Sequence, residues 1–306
     1  MSMTMSRPRP VLPSTTYLVT RRCAQRQFLL RPCEEINRFF LYCLAFAASR
    51  TGVLIHAACV LSNHFHLVLT DVSGNLPEFM LWLDGTLARG LNAYYGRWEN
   101  FWVPGTYSRV ELLDPPAVLE KMVYTLTNPV AAGLVCEGSQ WPGVRSDTLR
   151  EGNQRIRVQR PKFFFSDDGE LPETIELLIQ PPQSMAELEG SLGTQSLHEA
   201  VLEKEAEIRS TFEAEGRRFL GRDEVLRQSP KDSPSSQEPR RNLNPQVACR
   251  DKERRTRRLN WIRVFFLAYR EAFRKLAEGV RDVVFPAGTY WLRIHLRCLC
   301  ADPAPG

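Results

Sequence analysis

The sequence predicts an α+β protein whose N-terminal half forms a split βαββαβ unit, with an antiparallel sheet and helices on one face, followed by a mostly helical C-terminal extension. Three observations predict it. Short runs rich in β-branched and aromatic residues alternate with longer amphipathic runs. Two of the β-type runs are separated only by a short polar stretch, which is typical of a hairpin. Proline and glycine mark the starts and ends of helical runs.

The elements follow one another in a clear order. TYLVT at 16–20 predicts the first strand, and the run after Pro32 predicts a helix that ends at Gly52. Two strands, a second helix, a further strand and a third helix follow, at 53–60, 64–71, 76–95, 106–113 and from Pro115 or Pro116 to the residue before Pro129. This order is that of a ferredoxin-like fold.

The composition divides the chain into three parts. Residues 14–150 hold the predicted βαββαβ domain. Residues 151–239 carry acidic and proline-rich stretches such as SDDGELPETIE around a charged helical pattern, and we expect a linker there. Residues 240–306 are expected to form a basic, partly helical extension.

The overall composition limits the class of protein. The 306-residue chain is 43% hydrophobic, which is enough for a substantial core. Its net charge of +5 is mild, so a nucleic-acid surface would have to be a local basic cluster. The eight cysteines lack C-x-x-C spacing, as in proteins of a reducing compartment. The N-terminus lacks the apolar region of a signal peptide, and the longest apolar run is too short to span a bilayer. We therefore expect a soluble cytoplasmic protein without a membrane partner.

Two histidines interrupt an apolar strand in LSNHFHLVLT, residues 61–70. Because side chains alternate along a strand, His64 and His66 share one face, with their Cα atoms about 6–7 Å apart. Neutral imidazole is a common ligand of divalent metals, so the pair is a chelating half-site that needs a further ligand. Two surface histidines on an open sheet face are the alternative.

A second group of polar side chains lies on the predicted helix before Pro129. Tyr124 and Asn128 are four residues apart and therefore share one helical face. An amide oxygen suits a metal that also contacts phosphate, and a phenol beside it is a candidate nucleophile. A single tyrosine on an amphipathic helix is otherwise a core residue.

Three segments, in this order and spacing, resemble the HUH single-tyrosine transposases, especially the REP-associated tyrosine transposases. They are TYLVTRR near the start, HAACVLSNHFHLVLTD, and VYTLTNPVAAGLV. WPGVR at 141–145 is similar to the Trp-Pro segment that trails the family domain. The resemblance covers about residues 14–150 and implies an HUH tyrosine transposase or endonuclease domain there.

Residue by residue, the resemblance implies that His64, His66 and Asn128 bind Mg²⁺ or Mn²⁺ and that Tyr124 is the catalytic nucleophile. It implies a transposase that cleaves and rejoins single-stranded DNA bearing hairpins or palindromic repeats through a 5′-phosphotyrosine intermediate. The phosphotyrosine bond retains the energy of the broken linkage, so rejoining needs no ATP.

Candidate DNA contacts lie at Arg97, at Arg109 and in a basic segment at residues 240–263. Arg97 sits among the aromatic residues of YYGRWENFW, whose rings are suited to stack on bases or, equally, to fill a core. Arg109 is a candidate phosphate contact, although FWVPGTYSRVEL departs from the family pattern at Pro104 and Gly105. Residues 240–263 hold nine basic against two acidic residues, a run that suits either DNA contact or a solvated helix. Beside a domain that resembles the HUH family we expect DNA contact, and the candidates there are Arg254, Arg255, Arg257 and Arg258.

The sequence is also compatible with other functions. A domesticated, non-catalytic protein that binds DNA hairpins would keep the fold and the basic segment. A relaxase-type nuclease is disfavoured, because Thr127 and Asn128 occupy positions where those proteins often carry lysine. A homodimer is also left open. His295, Cys298 and Cys300 near the C-terminus are weak evidence for a metal site, and we interpret them as core or tail.

Overall fold

The computed structural model describes residues 8–105, 107–147, 152–166, 169–183, 192–235 and 245–302. Within these ranges the strands are β1 Thr15–Arg22, β2 Leu54–Leu61, β3 His64–Asp71, β4 Ser108–Leu112, β5 Gln154–Gln159, β6 Thr174–Ile179 and β7 Val247–Ala248. The α-helices there are α1 Glu34–Thr51, α2 Leu76–Tyr95, α3 Pro115–Ala131, α4 Leu192–Ala214, α5 Arg222–Arg227, α6 Lys252–Ala277 and α7 Trp291–Leu296.

The described strands form one sheet in the order β5-β6-β2-β3-β1-β4-β7. The four central strands, β2, β3, β1 and β4, pair with one another in the antiparallel direction, and the α+β class predicted from the sequence is confirmed. The sheet as a whole is mixed rather than antiparallel, because β6 pairs with β2 and β7 pairs with β4 in the parallel direction. Both parallel partners come from beyond residue 150, where the sequence predicted no strand.

Helices cover both faces of the sheet. On one face, Phe40 of α1 packs edge-on against Phe65 of β3, with ring centroids 5.3 Å apart. On the other, Tyr124 of α3 lies against His66 of the same strand. The prediction of helices on one face is therefore wrong for α3. The second face is also apolar, since Leu18, Val68 and Val110 are buried there, and a sheet with two apolar faces needs a layer on each.

The contact between α1 and α2 depends on a glycine. A Cβ atom at Gly90 of α2 would lie 2.1 Å from Cζ of Phe39 on α1. Phe39 is fully buried in the main core, so its ring has little room to move aside. The two helices can therefore approach closely only because residue 90 has no side chain.

Helix α3 runs through Pro129 to Ala131, although the sequence predicted an end before the proline. The missing N–H of Pro129 falls in the last turn of the helix, and the chain closes just after it, where Ala132 donates to the Asn128 carbonyl. Asn128 therefore belongs to the helix proper. At the other end, Asp114 caps α3 by accepting from the Ala117 amide at 2.9 Å.

The C-terminal half is built onto the central sheet. The segment expected as a linker contributes β5 and β6 to one edge of the sheet, while α4 packs on α3. At the opposite edge β7 joins β4, and α6 follows it. A separate small hydrophobic core lies at this edge, and its central residues are Phe265, Tyr269 and Phe285.

The domain boundaries at 150 and 239 stay predictions. Along the described ranges, no helix combines the length and apolarity needed to cross a membrane.

Candidate active site

His64 and His66 lie on the face of β3 that α3 covers. Their ring centroids are 4.9 Å apart and the rings are nearly perpendicular. His66 is 4% exposed, whereas His64 is half-buried. The shared face predicted from the alternation of the strand is therefore present, and the two rings touch.

Thr20 of β1 positions His66. The strand register sets Thr20 opposite His66, and its Oγ1 lies 2.8 Å from the histidine Nδ1. The Nε2 atom of His66 is buried without a hydrogen-bond partner among the described residues. Burial, aided by His64 and Arg22, holds the pKa of His66 well below its usual value, so the ring is neutral. With its proton on Nδ1, a neutral His66 has its lone pair on Nε2.

Sequence reasoning missed Thr20. Its only signal in the sequence is its place in the first strand, and the partner it faces depends on the β1–β3 register, which the sequence does not specify. Asn63 was also missed: its Oδ1 lies 2.6 Å from Nδ1 of His64, while its Nδ2 donates to the Arg26 carbonyl. Each histidine is thus oriented through Nδ1 by a neighbouring polar side chain, which is how metal-binding histidines are commonly held.

Tyr124 projects from α3 beside these rings. Its ring centroid is 5.1 Å from that of His66, and 44% of the residue is exposed. Asn128 lies one turn further along α3 and is buried, with 8% exposure. The structure therefore brings Tyr124 to the histidine pair. The assignment of Asn128 as a metal ligand stays a prediction.

The donor set fits a divalent cation. An uncharged imidazole with a buried, unpartnered nitrogen is costly unless a ligand uses that nitrogen. In the part of the chain that the structure describes, no group of three His, Cys, Asp or Glu side chains could hold a metal. A third protein ligand would therefore be of another type, and the Asn128 amide is the candidate. The same finding gives no metal site to His295, Cys298 and Cys300.

Arg109 lies away from Tyr124. The register pairs Ser108 with Thr20, so Arg109 faces the opposite side of the sheet. Its guanidinium donates to the Pro10 carbonyl at 2.5 Å and lies over the Tyr17 ring. The structure therefore does not bring Arg109 to the phosphate position predicted from the sequence.

The other predicted DNA contacts differ in exposure. Arg97 donates to Gln27 at 3.0 Å, and in the aromatic tract around it Trp98 is 96% exposed while Phe101 and Trp102 are buried. Arg258 pairs with Glu111 at 2.9 Å and lies over the Trp261 ring. Of the other predicted contacts on α6, Arg254, Arg255 and Arg257 are exposed.

Solved structures that resemble part of this chain include two that are named as transposases. A REP-associated tyrosine transposase bound to a REP hairpin matches at 19% identity with a TM-score of 0.39, over 46% of this chain and 81% of that one. A protein from Deinococcus radiodurans, provisionally assigned as a transposase, matches at 19% identity with a TM-score of 0.27, over 35% of this chain and 85% of that one. Neither a protein-family model nor a curated protein matches. Both TM-scores are below 0.5, so neither likeness carries a functional conclusion for this chain.

Proposed function

We propose that this chain is a transposase of the HUH single-tyrosine type, which cleaves and rejoins single-stranded DNA with Tyr124 as nucleophile. The βαββαβ core then corresponds to the family's ferredoxin-like unit. The proposal is supported by one observation above all: an exposed phenol lies 5.1 Å, ring to ring, from a neutral histidine whose buried Nε2 lacks a partner among the described residues. A structural tyrosine–histidine contact would not need an unpartnered imidazole nitrogen.

The proposed reaction is a transesterification. The Tyr124 oxygen forms a bond to phosphorus while the bond between phosphorus and the 3′-oxygen breaks. The phenolic proton leaves to solvent, and the 3′-oxygen takes up a proton to become a free hydroxyl. The DNA on the other side stays attached through a 5′-phosphotyrosine, and the reverse attack by a 3′-hydroxyl rejoins the strand.

The chain's own residues hold the reacting groups. Thr20 and Asn63 orient the two imidazoles, and α3 carries the phenol to them. His64 and His66, with Asn128, would hold Mg²⁺ or Mn²⁺, which when bound supplies positive charge beside the non-bridging oxygens of the scissile phosphate. From the resemblance of residues 14–150 to the family, we propose single-stranded DNA flanked by a hairpin or palindromic repeat as substrate.

A covalent protein–DNA adduct tests this function. The protein is incubated with labelled hairpin oligonucleotides carrying single-stranded flanks, with Mn²⁺ and with EDTA, and resolved on a denaturing gel. We expect a metal-dependent adduct that Tyr124→Phe abolishes and that Tyr94→Phe, at another exposed tyrosine, preserves. Hairpin binding without any adduct would instead support the non-catalytic alternative.

The metal assignment has a test that does not involve activity. Thr20→Val removes the hydroxyl that orients His66, and loss of such a partner typically weakens metal affinity about 10–100-fold. Thr16→Val is the matched control, because its hydroxyl lies on the same strand and bonds Thr70 instead, at 2.8 Å. Mn²⁺ binding measured by electron paramagnetic resonance should weaken for Thr20→Val alone. Equal affinities in both variants would contradict the assignment.

A further inference from the structure

A cleft of about 460 Å³ opens between α3 and the start of the C-terminal extension. Tyr124 and Lys121 line it from α3, Thr20 lines it from β1, and Arg250 and Arg255 line it from the extension. Thr20 is also the residue that holds His66, so the cleft reaches the candidate active site. Its volume falls within the range typical of small-ligand sites, about 300–1,000 Å³.

The extension's side of the cleft is fixed to the core at three points. Strand β7 pairs with β4, setting Val247 opposite Glu111. The Asp114 carboxylate accepts from the backbone N–H of Arg250 at 2.8 Å. One turn beyond Arg255, Arg258 pairs with Glu111 at 2.9 Å, with both side chains largely buried. The positions of Arg250 and Arg255 beside α3 are therefore built into the fold.

The cleft carries positive charge above an apolar floor. Within the described residues, the side chains of Arg250 and Arg255 form no ion pair, while Lys121 pairs with Glu120 at 2.7 Å. Three cations therefore face one carboxylate. The floor is formed by the buried apolar side chains Leu18, Val110, Ala117 and Val247. Unpaired guanidinium groups suit phosphate, and an apolar floor suits the face of a base.

We propose that this cleft binds one nucleotide of the single-stranded DNA next to the bond that Tyr124 attacks, with its phosphate on Arg250 and Arg255 and its base on the apolar floor. The inference rests on the proposed function for the identity of the strand. The C-terminal extension then supplies the wall of the substrate groove that the N-terminal domain lacks. Arg254 and Arg257 are not among the residues that line the cleft.

Binding of a fluorescein-labelled 20-nucleotide DNA of mixed sequence, measured by anisotropy in EDTA, tests the cleft without cleavage. The variant R250Q/R255Q should weaken binding about tenfold, and the slope of log K against log salt should fall by about 1.4, the value for two contacts at about 0.7 each. Arg255→Lys keeps the charge and should keep most of the affinity. Arg270→Gln is the control, an exposed arginine on the same helix about 22 Å further along.

A second variant separates a shaped site from a diffuse positive field. Ser108 is an exposed residue of β4 that lines the cleft, and Ser108→Trp fills the space without changing any charge. We expect weaker binding with an unchanged salt slope and, for every variant, a melting temperature close to the parent's. Binding by R250Q/R255Q within twofold of the parent, or equal losses in Arg270→Gln, would overturn the proposal.

The outcomes distinguish this inference from the proposed function. If no adduct forms on any hairpin but R250Q/R255Q and Ser108→Trp bind single-stranded DNA more weakly than the parent, the nuclease assignment is wrong and the assignment of the cleft as a nucleotide site is supported. If the adduct forms and both variants bind single-stranded DNA as tightly as the parent does, the cleft is not a nucleotide site and the nuclease assignment is supported.

Discussion

Removing the Asp114 carboxylate should destabilise two elements at once. One oxygen of Asp114 accepts from the Ala117 amide and caps α3. The other accepts from the Arg250 amide at 2.8 Å and from the Cys249 thiol at 2.9 Å, which ties the segment before α6 to the start of α3. The substitution Asp114→Ala removes both sets of bonds.

The expected loss follows from these bonds. An N-cap is worth about 1 kcal/mol, and a hydrogen bond to a charged acceptor contributes about 1.5–3 kcal/mol when shielded. Asp114 is partly exposed, so we take the lower end and expect about 2–3 kcal/mol in the free energy of unfolding. Asp251→Ala is the control. Among the described residues its carboxylate accepts from the amides of Glu253 and Arg254 at the start of α6, so about 1 kcal/mol is expected.

Urea unfolding followed by circular dichroism measures the difference. Asp114→Ala should also weaken single-stranded DNA binding, because it releases the segment that carries Arg250. Equal stability losses in Asp114→Ala and Asp251→Ala, with unchanged DNA binding, would refute the reasoning, since Asp114 would then act as an ordinary cap.

The contribution of the Asp114 carboxylate to stability should depend on pH with a defined sign. Burial acts to raise the pKa of Asp114, but hydrogen bonds from the Cys249 thiol and from backbone amides outweigh it, so the pKa is lowered. In the unfolded chain the pKa of an aspartate side chain is about 4. A lowered folded pKa gives stability that is present above pH 4 and is lost as the pH falls through the folded value. The stability gap between parent and Asp114→Asn should therefore shrink below pH 4.

Two further substitutions test the fold. Gly90→Ala should lower the free energy of unfolding by about 1–3 kcal/mol, because its methyl group would overlap Phe39. Gly85→Ala, on the same helix, meets no atom within 4 Å and should raise the free energy of unfolding by up to about 1 kcal/mol. If the urea midpoints of both variants shift in the same direction by the same amount, the close contact at Gly90 is contradicted. Burial lowers the pKa of His56 to about 4, so protonation of the unfolded chain should remove about 3 kcal/mol of stability as the pH falls from about 6.5 to 4. In His56→Gln, the free energy of unfolding measured by urea titration should no longer fall between about pH 6.5 and pH 4. An unchanged fall would mean that a group other than His56 causes it.

Elements with strong local signals were predicted from the sequence, whereas contacts between distant segments were not. Strand β3 and helix α2 match the prediction residue for residue, because alternation defines the first and a left-handed Gly96 ends the second. Helix α3 was predicted too short, since Pro129 can be tolerated where only one hydrogen bond near the helix end is lost.

The rest depends on pairing across the sheet. Strand β7 has only two residues, and β6 and β7 each pair in parallel with a strand more than a hundred residues away in the chain, so no local pattern predicts these two pairings. The candidate site divides in the same way. The shared face of His64 and His66 follows from alternation, but the Thr20 contact and the placement of Arg109 on the far face both depend on the register of β1 with its neighbours.

Mapping the covalent attachment by mass spectrometry tests the nucleophile itself. After reaction with a hairpin DNA labelled at one end or the other, the protein should retain the 3′-labelled piece and release a 5′-labelled piece with an extendable 3′-hydroxyl. Peptide analysis should find the nucleotide on Tyr124. Attachment at any other residue, or retention of the 5′-labelled piece, would contradict the proposed chemistry.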